Sequence, residues 1–310
     1  MPPRAEPDPA GLPDLLTLTQ ALAVGLTPDQ VRQRVRSGRW LRVSTGIYLR
    51  GSTAEQDPYE DARLLHVARA TAAAMTHEDS VICLHSAAAV HGLPTVSRPP
   101  DVVHLISDAG RSGIRAGVSD HRLPLAMDEV ITSDVPVTTP LRTWLDVTRF
   151  GSLPDSLAIG DAAVRRGLTT VLEIQQRVDG LDGRGCRMAR LAATLVDGRR
   201  ESPLESWSAV CFHRWQLPAP QPQVVIRDGD GRFVARVDFL WEDAKVIGEA
   251  DGVLKYDDRQ ALVDEKRRED RLRELGFRVV RWGWADLNAK EELRWRLTTA
   301  LRPRRFIRTG

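Results

Sequence analysis

A multidomain α/β protein is predicted, on three observations. The 310 residues exceed what one core comfortably organises, so two or three domains are expected. The first fifty or so residues place two short helices, the second with a Thr-Pro start, before a two-stranded hairpin. The last hundred or so alternate period-two apolar runs with helical periodicity in the order α-β-β-β-α-β-α. The expected division is 1–52, 53–198 and 199–310.

After a Pro-rich start, Asp14 to Val24 reads as a helix broken by Gly25-Leu26. Thr27 then caps a second helix with Pro28 at its first position, running to about Ser37. Trp40 to Val43 and Ile47 to Leu49, joined at Ser44-Thr45-Gly46, form a wing. Helix, turn, helix and wing make a winged helix-turn-helix. Its second helix presents Gln30, Arg32, Gln33, Arg34 and Arg36, side chains suited to phosphates and base edges; of these Arg32, Gln33, Arg34 and Arg36 are the candidate DNA contacts. A platform for protein contacts is the alternative use of such a domain.

The middle region is mixed. Helical patterns cover Pro58 to Met75, Cys83 to His91, Pro140 to Phe150, Leu153 to Arg166, Thr169 to Val178 and Gly185 to Val196. Strand patterns occur at Val102 to Ile106 and near Val118 and Val135. His77, His85 and His91 lie close in sequence, but no acid or Cys is spaced to complete a metal set, so core or capping roles are expected.

Beyond Asp197-Gly198-Arg199-Arg200, Ser202-Pro203 opens a helix to about Gln216. Strands follow at Gln223 to Arg227, Arg232 to Trp241 and Lys245 to Ala250, the first two joined by Asp228-Gly229-Asp230-Gly231. A long helix from Asp258 to Leu275 stops at Gly276, Phe277 to Trp282 is the last strand, and Ala285 to Leu301 the last helix.

Asp238, Glu249 and Asp251 stand out because acids inside apolar strands must be desolvated or paired. Side chains alternate along a strand, so Glu249 and Asp251 share a face, and a hairpin brings Asp238 alongside Glu249. Carboxylates with the Ala250 carbonyl form an oxygen-only set that suits Mg²⁺ or Mn²⁺ and phosphate chemistry. Glu205, three residues after Ser202, has the spacing of a capping box as well as a place near this set. Asp251 precedes Gly252 and also reads as a turn residue.

Charge is balanced overall at +2 but patterned: Val31 to Arg50 and Leu293 to Gly310 each hold six Arg and no acid. Such blocks point to a polyanion such as DNA, or else to a solvated face. Three Cys without C-x-x-C spacing exclude a disulfide framework or structural zinc site, and no signal peptide or membrane span is evident. A cytoplasmic protein is expected.

The C-terminal order, with Arg236-Val237-Asp238-Phe239, Ile247-Gly248-Glu249-Ala250-Asp251-Gly252, Lys255-Tyr256, Glu265-Lys266-Arg267-Arg268-Glu269 and Gly276 to Trp282, resembles the PD-(D/E)XK nuclease superfamily. More narrowly it resembles the branch related to very-short-patch repair endonucleases, over about a third of the chain. The resemblance implies a restriction-endonuclease-like fold and Mg²⁺- or Mn²⁺-dependent DNA cleavage, with Asp238, Glu249, Asp251 and Lys255 catalytic and Asp238, Glu249, Ala250 and Glu205 at the metal. Most members carry Glu-x-Lys in the third strand, whereas here Asp251 takes the lysine's place. Where the repair branch commonly has His, this chain has Lys255, a candidate for the missing cation.

Gly25-Leu26-Thr27-Pro28, Gly46 to Leu49, His85-Ser86-Ala87-Ala88 and His91-Gly92-Leu93-Pro94 are similar to actinobacterial proteins with an AbiEi-type antitoxin or regulator domain. That resemblance implies a DNA-binding transcriptional regulator of a type IV toxin-antitoxin system, with a cognate toxin as partner. Two readings therefore stand: a DNA endonuclease, and a regulator that keeps the nuclease fold as scaffold. A nuclease needs its carboxylates converging on an open basic groove; a scaffold can have them dispersed or salt-bridged to Arg236 and Lys245. Lys266, Arg267 and Arg268 read mainly as surface partners of Asp264, Glu265, Glu269 and Asp270. Trp282, Trp284 and Trp295 read as base-stacking or as packing residues.

Overall fold

Thr17 and Thr27 fix the start of the fold, because each accepts a hydrogen bond from the backbone three residues on and is itself capped by Gln20 or Gln30. The computed structural model describes residues 8–9, 11–51, 58–77, 79–107, 113–115, 117–132, 134–251 and 259–302, without the side chains of 113, 115 and 259–265. It is a mixed α/β protein with three sheets. Residues 1–92 and 97–146 form one compact unit, and 93–96 with 147–310 the other.

In the first unit β1 (Leu15–Thr17), α1 (Leu18–Ala23), α2 (Pro28–Arg36), β2 (Trp40–Ser44) and β3 (Ile47–Arg50) build a sheet of order β1-β3-β2. The single helix expected over Asp14 to Val24 is corrected. Leu15 to Thr17 pair antiparallel with Ile47 to Leu49, and burying Leu16 in the cluster of Ala21, Leu26, Val31 and Trp40 outweighs the helix preference of leucine. Gly46 turns the hairpin at φ +72°, a conformation that favours glycine.

The same unit continues with α3 (Pro58–Thr76), β4 (Val81–Ile82), α4 (Leu84–Val90), β5 (Val103–Ile106), β6 (Gly113–Arg115), β7 (Val118–His121), β8 (Val130–Thr132) and β9 (Pro136–Thr138). Its strands form a six-stranded sheet of order β6-β7-β5-β4-β9-β8, cored by Ala70, Ile82, Ala87, Leu105 and Val137. The next helix, α5 (Pro140–Phe150), spans the point where the two units divide.

The histidines serve this core. His91 Nε2 lies 2.7 Å from the Thr138 carbonyl and His77 Nδ1 2.8 Å from that of Ala73, as capping groups do. His66 Nε2 meets Ser86 Oγ at 2.9 Å, Ser86 Oγ accepts the His104 amide, and His104 Nδ1 meets His121 Nε2 at 2.9 Å. Burial pushes the His66 and His104 imidazoles down from 6.5 to about 4.

A ring held neutral in the fold protonates more readily in the unfolded chain. Its contribution is therefore full above about pH 6.5 and is lost as pH falls toward about 4, at roughly 3 kcal/mol per ring. Urea titrations at pH 7 and 4.5 should show a loss of a few kcal/mol in wild type and a smaller loss in His66→Gln.

The second unit contains α6 (Leu153–Arg165), α7 (Val171–Val178), α8 (Cys186–Leu195), α9 (Pro203–Arg214), β10 (Gln221–Arg227), β11 (Phe233–Trp241), β12 (Val246–Ala250), α10 (Arg259–Glu274), β13 (Arg278–Trp282), α11 (Trp284–Asn288) and α12 (Glu291–Leu301). The sheet runs β10-β11-β12-β13, antiparallel except for β12 and β13, which the α10 crossover makes parallel. The expected final helix is two helices.

Neighbouring residues of β12 go to opposite faces. Val246 joins Phe212, Phe239, Trp241, Trp282, Leu287 and Leu297 beneath α9, α11 and α12. Ile247 joins Val237, Leu240 and Leu272 beneath α10. Gly248 lies between: a Cβ there would sit 2.5 Å from Trp282, so only glycine lets the indole cross the strand. Trp282 is thus core, its Nε1 donating to Ser208 Oγ at 2.7 Å, and Trp295 is exposed.

Helices α6 and α9 are tied through Asp161, which is 1% exposed. It accepts from Arg200 Nε at 2.6 Å, Arg200 Nη2 at 3.0 Å, the Asp197 amide at 2.8 Å and Ser206 Oγ at 2.7 Å. No helix among the described residues is long and apolar enough to cross a membrane.

Candidate functional site

Strand register decides where the acids of the second unit meet. Phe239 faces Gly248 across the antiparallel β11 and β12 pair, so the next step of that register sets Asp238 against Glu249. Glu249 is two residues from Ile247 and shares its face, on the α10 side. It is 5% exposed.

Asp238 Oδ2 accepts the Ala250 amide at 2.7 Å. The amide and carbonyl of one residue leave a strand on the same edge, so the Ala250 carbonyl also turns toward β11. Asp251, with its amide on the Trp282 carbonyl at 2.9 Å, turns toward β13 but adds its charge to both neighbours.

Glu205 closes the site from α9. Ser202 Oγ donates to its Oε1 at 2.8 Å and accepts its amide, while Glu201 N donates to Oε2 at 3.1 Å, so the capping role is present. The same Oε2 accepts Gln223 Nε2 at 2.9 Å, and that nitrogen lies 3.2 Å from Asp238 Oδ1. Gln223 thereby joins a capping carboxylate to a strand carboxylate. Its φ of +53° is the left-handed region, an unfavourable setting for a non-glycine residue inside a strand run.

Sequence reasoning missed Gln223, because an amide at a strand start carries no signal of its own. The left-handed backbone is visible only in three dimensions.

The electrostatics are those of acids held together. Burial is the largest cause that pushes Asp238 up to about 6, and the charges of Glu205 and Asp251 add to it against hydrogen bonds from Ala250 and Gln223. Burial likewise pushes Glu249 up to about 7, with Asp238 and Asp251 adding and Arg268 opposing. Arg268 Nη1 reaches Glu249 Oε1 at 3.3 Å from α10.

Arg236 instead forks onto Glu201 at 2.9 and 2.7 Å, and Lys245 lies over the Phe277 ring at 5.5 Å. Lys255 lies outside the described residues.

Hard oxygen donors of this kind fit a small divalent cation. Among the described residues no three His, Cys, Asp or Glu side chains are gathered closely enough to hold one. The hard donors brought together here are two carboxylates, Asp238 and Glu249, and the Ala250 carbonyl. Glu205 and Asp251 stand behind them.

On α2 of the first unit, Arg32, Gln33 and Arg36 are exposed. Arg34 is corrected: it is 5% exposed, donates to Asp8 Oδ1 at 2.9 Å and lies over the Trp40 ring, so it packs inward instead of facing a groove. Position 34 shares the helix face of Val31, the buried stripe, which its charge concealed in the sequence.

No protein-family model matches the chain. Two proteins of Mycobacterium tuberculosis, Uncharacterized protein MT2308 of strain CDC 1551 / Oshkosh and Uncharacterized protein Rv2248 of strain ATCC 25618 / H37Rv, are each 29% identical to it over 256 residues, 82% of this chain and 89% of theirs. The crystal structure of the RV2827C protein from Mycobacterium tuberculosis aligns at 14% identity and a TM-score of 0.35, covering 70% of this chain and 84% of that one. The chain is a distant homologue of the two 29% identical proteins.

Proposed function

We propose that the protein binds DNA and that its second unit hydrolyses a phosphodiester bond with Mg²⁺ or Mn²⁺, on a restriction-endonuclease-like fold. One observation carries this reading: Asp238 and Glu249 sit side by side at the edge of a core with carboxyl groups raised to about 6 and 7. In the fold each raised group costs stability once ionised, a cost without purpose in a structural pair and one that a cation removes.

Asp238, Glu249 and the Ala250 carbonyl would hold the cation. When bound, it lowers the pKa of a water and polarises the phosphate. Glu205 and Gln223 hold Asp238 in place, and the buried face around Ile247 keeps bulk water from the carboxylates. In the reaction the water oxygen forms a bond to phosphorus and one P–O ester bond breaks. Its electron pair goes to the departing oxygen, which gains a proton from solvent as the attacking water loses one.

DNA affinity is assigned to the exposed Arg32, Gln33 and Arg36 of the winged helix-turn-helix. The competing reading is a regulator or antitoxin that retains the fold as scaffold and answers to a cognate toxin. It draws on Asp251 in the lysine's place and on the Arg268–Glu249 pair.

Purified protein incubated with supercoiled plasmid separates the two. Nicked or linear product with Mg²⁺ or Mn²⁺, and none with EDTA, supports hydrolysis. DNA binding without product under every metal condition supports the regulator.

A further inference from the structure

Helix α3 carries an arginine that the first unit leaves unpaired. Arg69 is half-buried, yet it makes no hydrogen bond and no ion pair among the described residues. Arg63 on the same helix shows the usual arrangement, bound to Glu60 and donating to the Ala89 carbonyl at 2.8 Å. A guanidinium drawn partly out of water without a partner is a cost to the fold that an anion would remove.

Arg69 lines a cavity of about 580 Å³ inside the first unit. Arg69 and Ala73 of α3 stand on one side, Ser44 of β2 on another, and Asp101, Val103 and Val118 come from the six-stranded sheet and the residues just before β5. Ala73, Val103 and Val118 are mostly buried, so the floor is apolar. Asp101 is exposed and likewise has no hydrogen bond or ion pair among the described residues. The cavity thus holds one unpaired cation and one unpaired carboxylate over an apolar floor. Both charges reach the same neighbour: after burial, Arg69 holds the His66 ring down and Asp101 opposes it.

We propose that this cavity is an effector site for a nucleoside 5′-monophosphate, whose occupancy alters DNA binding. The effector role rests on the DNA-binding reading given above; the site itself does not. A phosphate monoester accepts the N–H donors of the guanidinium fork. Ribose hydroxyls donate to a carboxylate, which is the role open to Asp101. The base covers the apolar floor. The volume lies in the range that encloses a drug-sized ligand, more than inorganic phosphate or a single amino acid fills.

The position of the cavity supplies the link to DNA. Helix α3 packs against β2, and Ser44 ends that strand. Trp40 begins the strand and packs in one cluster with Val31 of α2, the helix that presents Arg32, Gln33 and Arg36. A ligand seated between α3 and β2 therefore favours one placement of the strand that braces α2.

The test uses the full-length protein and four probes, AMP, GMP, CMP and UMP, titrated calorimetrically without DNA. At least one should bind with a Kd below about 1 mM, and inorganic phosphate at least about tenfold more weakly. Arg69→Gln should lower that nucleotide's affinity about tenfold or more, and Asp101→Asn should also lower it. Melting curves first confirm that each variant is folded; Asp101 is exposed, so its substitution keeps the site testable if Arg69→Gln does not fold. DNA affinity is then measured by fluorescence anisotropy with and without the saturating nucleotide. It should change about fivefold or more in wild type and stay constant in Arg69→Gln.

No binding of any of the four nucleotides to wild type overturns the site, and so does equal affinity in wild type and both variants. Nucleotide binding that leaves DNA affinity unchanged overturns the effector role. Weaker DNA binding by Arg69→Gln, with no nucleotide bound by wild type, makes Arg69 a contact to the DNA backbone instead. Failure of wild type to bind any DNA removes the DNA-binding reading and the effector role together, while the calorimetric result still decides the site.

Discussion

Asp238→Asn and Glu249→Gln, assayed separately with Mn²⁺ at pH 8, are each expected to lose at least about 10³-fold in plasmid cleavage, the equivalent of about 4 kcal/mol of transition-state stabilisation. The cause is loss of a charged ligand from a set that has only two carboxylates and a carbonyl at its centre. Water replaces such a ligand poorly. Both variants should remain folded, with melting temperatures close to the parent's at that pH. Each substitution removes a carboxylate whose ionised form the fold disfavours, Asp238 raised to about 6 and Glu249 to about 7, and this offsets the hydrogen bonds lost. Wild-type rates in both variants would remove Asp238 and Glu249 from the chemistry. A large fall in melting temperature would instead make them structural.

The second large effect is on stability. Asp161→Ala should cost about 3 to 5 kcal/mol in urea unfolding of the second unit. The buried Arg200 guanidinium, which also donates to the Leu195 carbonyl, then loses its counter-ion, and the Asp197 amide and Ser206 hydroxyl lose their acceptor. Burial raises the Asp161 carboxyl even with Arg200 beside it, so the intact pair adds little net stability while its rupture is expensive. Replacing both partners, as in Asp161→Leu with Arg200→Met, should therefore cost less than Asp161→Ala alone. A single-variant loss under 1 kcal/mol would contradict this account.

Much of the second unit was legible because its signals are local. Period-two runs at Phe233 to Trp241 and Val246 to Ala250 announce strands, and Asp238 and Glu249 stand out in them because no local feature explains an acid there. The partners of those acids were not legible. Gln223 acts through a left-handed backbone inside a strand run, and Arg268 lies among acids at helical spacing that account for its charge equally well.

The same limit governs the first unit. The capping Thr27 was readable from Thr followed by Pro, but the strand at Leu15 exists only because Ile47 to Leu49 are there to pair with it, and with it the cap at Thr17. Arg34 looks like its neighbours in sequence and differs only in what lies behind it, Trp40 and Asp8. Likewise, the helices from Leu153 to Leu195 join the C-terminal sheet in one unit, and the Ser206–Asp161 hydrogen bond that ties α9 to α6 spans 45 residues.

Calorimetric titration of the intact protein with Mn²⁺ in buffers of different ionisation heat tests whether Asp238 and Glu249 together hold a divalent cation, without any need for DNA or cleavage. With carboxyl groups raised to about 6 and 7, Glu249 carries a proton below neutrality that the cation must displace. Binding should therefore release protons near pH 6.5, strengthen as pH rises toward 8, and disappear in Glu249→Gln. Mn²⁺ affinity that ignores pH, releases no proton and survives in both Asp238→Asn and Glu249→Gln would contradict the claim.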